Sequence, residues 1–109
     1  MAGAGIPLEQ VRKLALALPE ASESPHFQST SFRVRGKIFA TSPDAHTLHV
    51  FVAEEARSRA LALHPGFIEK LPWGAKIVGL RIDLPAADAA VVADLVKLAW
   101  RAKAPKALQ

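Results

Sequence analysis

The chain has 109 residues and a net charge of +4, and it contains no cysteine. This length fits one domain with its own core, and the absence of cysteine excludes disulfides, thiolate metal sites and cysteine nucleophiles. No apolar run approaches the roughly 18 residues that a membrane span needs, and the N-terminus lacks the charged-then-apolar order of a secretion signal. We therefore expect a cytoplasmic protein with a flexible tail over residues 1–6 and one domain over residues 7–109.

The chain begins with a helical pattern. Residues 7–18 carry apolar side chains at helical spacing, and Pro19 ends this helix because a proline disfavours the α conformation in the residue before it. Residues 21–31 are rich in serine and predict a loop. A strand pattern follows at residues 47–52, with alternate side chains directed to the core: Leu48, Val50 and Val52.

Residues 31–41, which read SFRVRGKIFAT, predict a β-hairpin. Two short β-prone runs meet at Gly36, which tolerates a positive φ angle. The hairpin also brings three cations close together in sequence: Arg33, Arg35 and Lys37. Its tip therefore predicts either a contact with a phosphate backbone or a solvated turn.

The register of this hairpin has two alternatives. A three-residue loop over residues 35–37 pairs Val34 with Ile38 and Phe32 with Ala40, which places all four side chains on the core face. A two-residue loop at residues 35–36 would instead pair Phe32 with Phe39 and expose Ile38. We favour the three-residue loop because it leaves fewer apolar residues outside, and it places Phe39 on the far face beside Arg33.

The second half of the chain predicts two more helices and two strands. Glu54 and Glu55 open the second helix, whose buried stripe is expected to include Leu63. Residues 67–71 indicate a short strand and residues 75–84 a strong one, and the last helix is expected from Pro85. Hairpin-linked strands predict an α+β domain, a largely antiparallel sheet with helices mainly on one face.

Several short motifs resemble the MmcQ/YjbR family of small bacterial proteins. They are Leu18-Pro19-Glu20, the pair Ser22 and Glu23, the FRVRGKIFA hairpin, Trp73-Gly74, Ala99-Trp100-Arg101 and Ala104-Pro105-Lys106. The resemblance spans about residues 7–108, and the hairpin is its most specific part. The loop before the hairpin departs from the family pattern, because Gln28 stands where a glycine is expected after the aromatic residue.

The resemblance implies a compact α-β(3)-α-β(2)-α domain related in fold to secretion chaperones. It also implies DNA binding through a double-wing arrangement. The family's motif residues carry over to six positions here: Glu23, Phe32, Arg33, Gly36, Lys37 and Trp100. Only Arg33 and Lys37 among them have the charge to touch phosphate.

Nucleic-acid binding is our first functional hypothesis, since aromatic side chains interleaved with cations form a stacking and phosphate platform. Its predicted binding residues are Arg33, Arg35, Lys37, Phe39, His49 and Arg81. A sheet face carrying two phenylalanines, Phe39 and Phe51, could equally seat a homodimer or a protein partner. No nucleophile motif or phosphate-binding loop appears, so we expect a non-catalytic protein without a cofactor or a metal.

Overall fold

The computed structural model describes residues 4–26 and 29–109, which form one α+β domain. The α-helices are α1 (Leu8–Leu16), α2 (Glu54–Leu63) and α3 (Ala89–Lys103). The strands are β1 (Ala21–His26), β2 (Ser29–Val34), β3 (Lys37–Asp44), β4 (Thr47–Val50), β5 (Ile68–Trp73) and β6 (Lys76–Asp83). Within the described residues, no helix is long and apolar enough to cross a membrane.

The six strands form one antiparallel sheet in the order β1-β2-β3-β4-β6-β5. The chain passes from β4 through α2 to the edge strand β5, and β6 then returns to pair with β4. All three helices contribute to a single core with one face of the sheet. The predicted fold class is therefore confirmed: an α+β domain with an antiparallel sheet and its helices on one face.

The first strand is absent from the sequence prediction. The segment predicted as a serine-rich loop forms β1, which pairs with β2 from Ala21 opposite Val34 to His26 opposite Ser29. Four strands thus precede α2, one more than predicted. Pro25 is tolerated because β1 lies at the edge of the sheet, where a strand has a partner on one side only. Gln28, which stands where the family pattern has a glycine, lies outside the described residues.

The hairpin combines features of both predicted registers. Val34 pairs with Lys37, so the loop has two residues rather than three, and Arg35 and Gly36 have φ angles of 50° and 80°. Positive φ at both positions is the pattern of a type I′ turn, whose twist matches that of a hairpin. A bulge then shifts the register, so that Phe32 pairs with Ala40 as predicted. The predicted pairing of Val34 with Ile38 is wrong.

The core lies between α3 and the centre of the sheet. Leu48 and Val50 of β4 are buried as predicted, together with Leu80 and Ile82 of β6. Five buried side chains of α3 belong to the same core: Val92, Leu95, Val96, Ala99 and Trp100. The indole N–H of Trp100 also donates to the carbonyl oxygen of Pro19 at 3.0 Å. This bond fixes the end of α3 against the connection between α1 and β1.

Three local predictions need correction. Leu63 was expected in the buried stripe of α2, but its exposed fraction is 64%. The last helix starts at Ala89 rather than at Pro85, because the carboxylate of Asp88 accepts the Ala90 N–H and caps the helix.

Gly5 and Ile6 do not form a loose tail. The Gly5 N–H donates to the carbonyl oxygen of Ala87, the Ile6 N–H donates to that of Leu84, and the side chain of Ile6 is buried.

Gly79 in β6 marks a close approach between strands. A Cβ at this position would overlap the carbonyl oxygen of Val50 in β4 and lie 3.3 Å from the Phe51 ring. The ring of Phe51 therefore lies against a position that only glycine leaves open.

We expect Gly79→Ala to lower the free energy of unfolding by about 1–3 kcal/mol, because the added methyl group must push β4 and β6 apart. Gly66→Ala is the matched control, since a Cβ there would meet nothing within 4 Å. It should change the free energy by less than about 1 kcal/mol. Urea unfolding followed by circular dichroism measures both variants, and equal stabilities would contradict the close approach.

Candidate nucleic-acid interface

The side of the sheet opposite the helices carries a row of polar side chains. Successive pairings align Ser31, Thr41, His49, Arg81 and Glu69, one from each of five neighbouring strands. We call this side the open face. Alternation along each strand directs these side chains away from the core, so the row is where a ligand on the open face would first meet polar groups.

The row is already bonded within itself. The Arg81 guanidinium donates to Nε2 of His49 at 3.5 Å and to the Glu69 carboxylate at 3.3 Å. Nδ1 of His49 lies 3.4 Å from the Thr41 hydroxyl. Burial and the positive charge of Arg81 lower the pKa of His49, and the carboxylate of Asp44 opposes this shift. The His49 imidazole is therefore held in its neutral form, with Nε2 as an acceptor.

Arg33 lies on β2, and β3 and β4 separate it from Arg81 on β6. Along β2 it is two residues nearer to the hairpin tip than Ser31, which belongs to the row of Arg81. Its Nε donates to the buried hydroxyl of Ser31 at 3.1 Å, and among the described residues it has no carboxylate partner. Thr41 and His49 separate the two arginines. The open face therefore has two separate cations, of which only Arg33 is free of a carboxylate, rather than a continuous basic stripe.

Arg35 is neutralised at the tip of the hairpin. Its guanidinium forms two hydrogen bonds to the Glu20 carboxylate, at 2.6 and 2.8 Å. The hydrogen bond from Arg35 lowers the pKa of Glu20, although some burial opposes it. A phosphate at this position would have to displace a bidentate ion pair, so Arg35 is a weaker candidate than the sequence predicts.

The predicted position of Phe39 is wrong. The bulge in β3 turns its side chain into the core, where its exposed fraction is 0% and its ring centroid lies 6.5 Å from that of Phe32. Phe39 therefore cannot contact a ligand on the open face. Among the described residues, Phe51 supplies an aromatic ring to this face, since its ring lies over Gly79.

Two hairpin turns lie at the same end of the sheet. Residues 35–36 join β2 to β3 and residues 74–75 join β5 to β6, and the antiparallel pairings place both turns at the end where β4 terminates. We call this the hairpin end. Lys37 and Lys76 are exposed there and have no ion-pair partner among the described residues. Trp73 is 80% exposed at the second turn.

Lys76 and Trp73 are absent from the predicted site. Their relevance depends on the pairing of β5 with β6 and on the position of that hairpin beside β4, which no local pattern encodes. The signal available in sequence was the Trp73-Gly74 turn followed closely by a lysine. A tryptophan at a turn is expected to bury its ring as an apolar anchor, but the structure shows the indole of Trp73 exposed.

The last turn of α3 reaches the same end. Trp100 contacts Pro19, which lies just before β1, and β1 begins opposite the last residue of β2. The basic C-terminal segment therefore lies on the helix side of the hairpin end. It carries Arg101, Lys103 and Lys106. The fold thus brings the exposed lysines of the two hairpins and the cations at the end of α3 to the same end of the sheet.

Most of the motif residues have structural roles. The Glu23 carboxylate accepts from Arg12 in α1 at 2.7 Å and from the Thr30 hydroxyl in β2 at 2.7 Å, joining helix and sheet. Phe32 and Trp100 are buried, and Gly36 supplies a positive φ angle. No three His, Asp or Glu side chains of the described segments are placed to hold a metal ion.

Comparison with known proteins agrees with this fold. The sequence model of the YjbR family matches residues 16–102. The structure is similar to that of the Deinococcus radiodurans protein DR2400, which carries a DUF419 domain, with a TM-score of 0.73 and 18% identity. The match covers 85% of this chain and 75% of that one. No curated protein matches the chain. A structural likeness at this identity establishes the fold alone.

We expect the stability of the protein to fall as the pH is lowered from about 6.5, the ordinary pKa of histidine. The unfolded chain takes up the proton of His49 at a higher pH than the folded protein does, so acidification favours unfolding. The loss continues until the pH reaches the lower pKa of His49 in the folded state.

Urea unfolding at a series of pH values measures this effect. His49→Gln keeps a polar side chain beside Thr41 and should lose the decline, whereas the control variant His46→Gln keeps His49 and should retain it. An NMR titration of the His49 ring should give a midpoint below 6.5, and a midpoint above it would contradict the expected direction.

Proposed function

We infer that this chain, which belongs to the YjbR family, is a cytoplasmic protein that binds DNA without catalysing a reaction. The DNA would contact the hairpin end, where its phosphates meet lysines of both hairpins. The observation that carries this proposal is the convergence of two hairpin turns and the basic end of α3 at one end of the sheet. The resemblance to double-wing DNA-binding proteins supports the same assignment.

The distribution of ion pairs supports the hairpin end over the centre of the open face. Arg12, Arg35, Arg59 and Arg81 each lie within 4.0 Å of a carboxylate, so much of the charge counted in the sequence is internally compensated. Lys37 and Lys76 have no such partner among the described residues. Free lysines attract phosphate and release condensed counterions when they bind it, which favours association at low salt.

Acidic residues restrict how DNA can approach. β4 ends at this end of the sheet, and α2 begins shortly after it with Glu54 and Glu55 in its first turn. These carboxylates lie on the helix side and would repel phosphate. The favourable approach is therefore to the tips of the two hairpins, away from the first turn of α2.

A protein-interaction role is the second candidate, and a different observation favours it. Phe51 lies on the open face, on which the register also places the half-buried Ile38 and Ile77, and none of the described helices covers this side of the sheet. A second copy of the chain could cover these apolar side chains. Light scattering that shows a dimer, and a monomer after Phe51→Asp, would support this role.

We expect the double variant Lys37→Ala/Lys76→Ala to bind DNA more weakly. The slope of log affinity against log salt should also fall by about two, roughly one for each lost phosphate contact. Fluorescence anisotropy of labelled DNA, titrated at several salt concentrations, measures both quantities.

Lys13→Ala/Lys97→Ala is the matched control, because it removes the same charge from exposed positions on α1 and α3. This control variant should keep nearly the full slope of log affinity against log salt. Equal losses in the two double variants would indicate an effect of net charge alone and would contradict a site at the hairpin end. Absence of binding by the unaltered protein at low salt would contradict DNA binding itself.

A further inference from the structure

Trp73 is the most exposed of the large apolar side chains in the described part of the chain, with an exposed fraction of 80%. The other tryptophan, Trp100, is 4% exposed and belongs to the core. Tryptophan contributes strongly to stability when it is buried, and Trp73 makes no such contribution. An indole held in solvent at the end of a hairpin calls for a role outside the fold.

The backbone holds this indole in a defined place. Trp73 is the last residue of β5 and pairs directly with Lys76, and Gly74 in the turn between them has a φ angle of 63°. Pro72 precedes it and has a restricted φ angle of its own. An aromatic side chain on a rigid support loses little conformational freedom when it binds, which favours its use as a contact residue.

The surroundings of Trp73 combine an aromatic surface with positive charge. Its strand partner Lys76 is a free cation within the described residues, and Lys37 stands on the other hairpin at the same end of the sheet. Aromatic rings on which bases stack, set among cations that follow the phosphates, are the features of single-strand binding.

We propose that Trp73 stacks on an unpaired base and that the hairpin end prefers single-stranded DNA to duplex DNA. In a duplex the faces of the bases are covered by their neighbours, so an indole can stack only after a base step is opened. In a single strand the faces are accessible. This inference rests on the proposed DNA binding and adds the class of DNA and the residue that recognises it.

The test compares two oligonucleotides of equal length, an oligothymidylate and an abasic strand with the same phosphates. The unaltered protein should bind the oligothymidylate more tightly, by between about fivefold and hundredfold, because only this strand offers bases for stacking. Trp73→Leu keeps an apolar side chain but removes the ring, so it should bind both strands equally. Trp73→Phe should retain part of the preference.

Fluorescence gives an independent measurement. Excitation of the indoles reports Trp73 and Trp100 together, and stacking on a base should quench only the exposed ring. The oligothymidylate should therefore quench the unaltered protein and leave Trp73→Phe, which contains Trp100 alone, unchanged. Circular dichroism and urea unfolding confirm that the variants at this exposed position remain folded.

The outcomes separate this inference from the proposed function. If the unaltered protein and Trp73→Leu show no preference for bases, while loss of Lys37 and Lys76 weakens binding to both strands, stacking is overturned and DNA binding stands. If the unaltered protein prefers duplex DNA, the single-strand preference is overturned. If it binds neither strand nor duplex at low salt, both proposals fail.

Discussion

The hydrogen bond from Trp100 to the Pro19 carbonyl joins parts of the chain that lie 81 residues apart. It fixes the end of α3 against the turn that leads into β1, and Glu20 in that turn has a φ angle of 54°. The side chain of Glu20 then holds Arg35, the other non-glycine residue of positive φ in the described chain. Both left-handed positions are thus linked by one ion pair, which connects the tip of the first hairpin to the turn before β1.

The same arrangement explains why the motifs that identify the family say little about its activity. Glu23 joins α1 to the sheet, Phe32 fills the core, Gly36 permits the turn and Trp100 anchors the last helix. Each of these residues is required by the architecture. The other two motif residues, Arg33 and Lys37, have no carboxylate partner among the described residues.

The sequence predicts the order of the helices and all but one of the strands, because alternation and helical spacing are local properties. It fails at β1 because serine, glutamate and proline have low strand propensity, and the strand forms only because β2 offers an edge. It fails at Phe39 because a bulge reverses the direction of one side chain, and no local pattern marks the bulge. The site is less predictable than the fold, since Lys76 and Trp73 join Lys37 only through the pairing of distant strands.

Ion pairing within the fold determines which of the predicted cations are available to contact a phosphate. Arg35 and Arg81 have the same formal charge as Lys37, but Glu20 and Glu69 compensate them within the fold. Their contribution to the field around the protein is small, because an opposite charge lies within 4.0 Å of each guanidinium. At the hairpin end, the unpaired lysines Lys37 and Lys76 therefore contribute more to the field than Arg35 does. The row around His49 is polar but nearly balanced in charge, and it acts as the rigid base from which the two hairpins project.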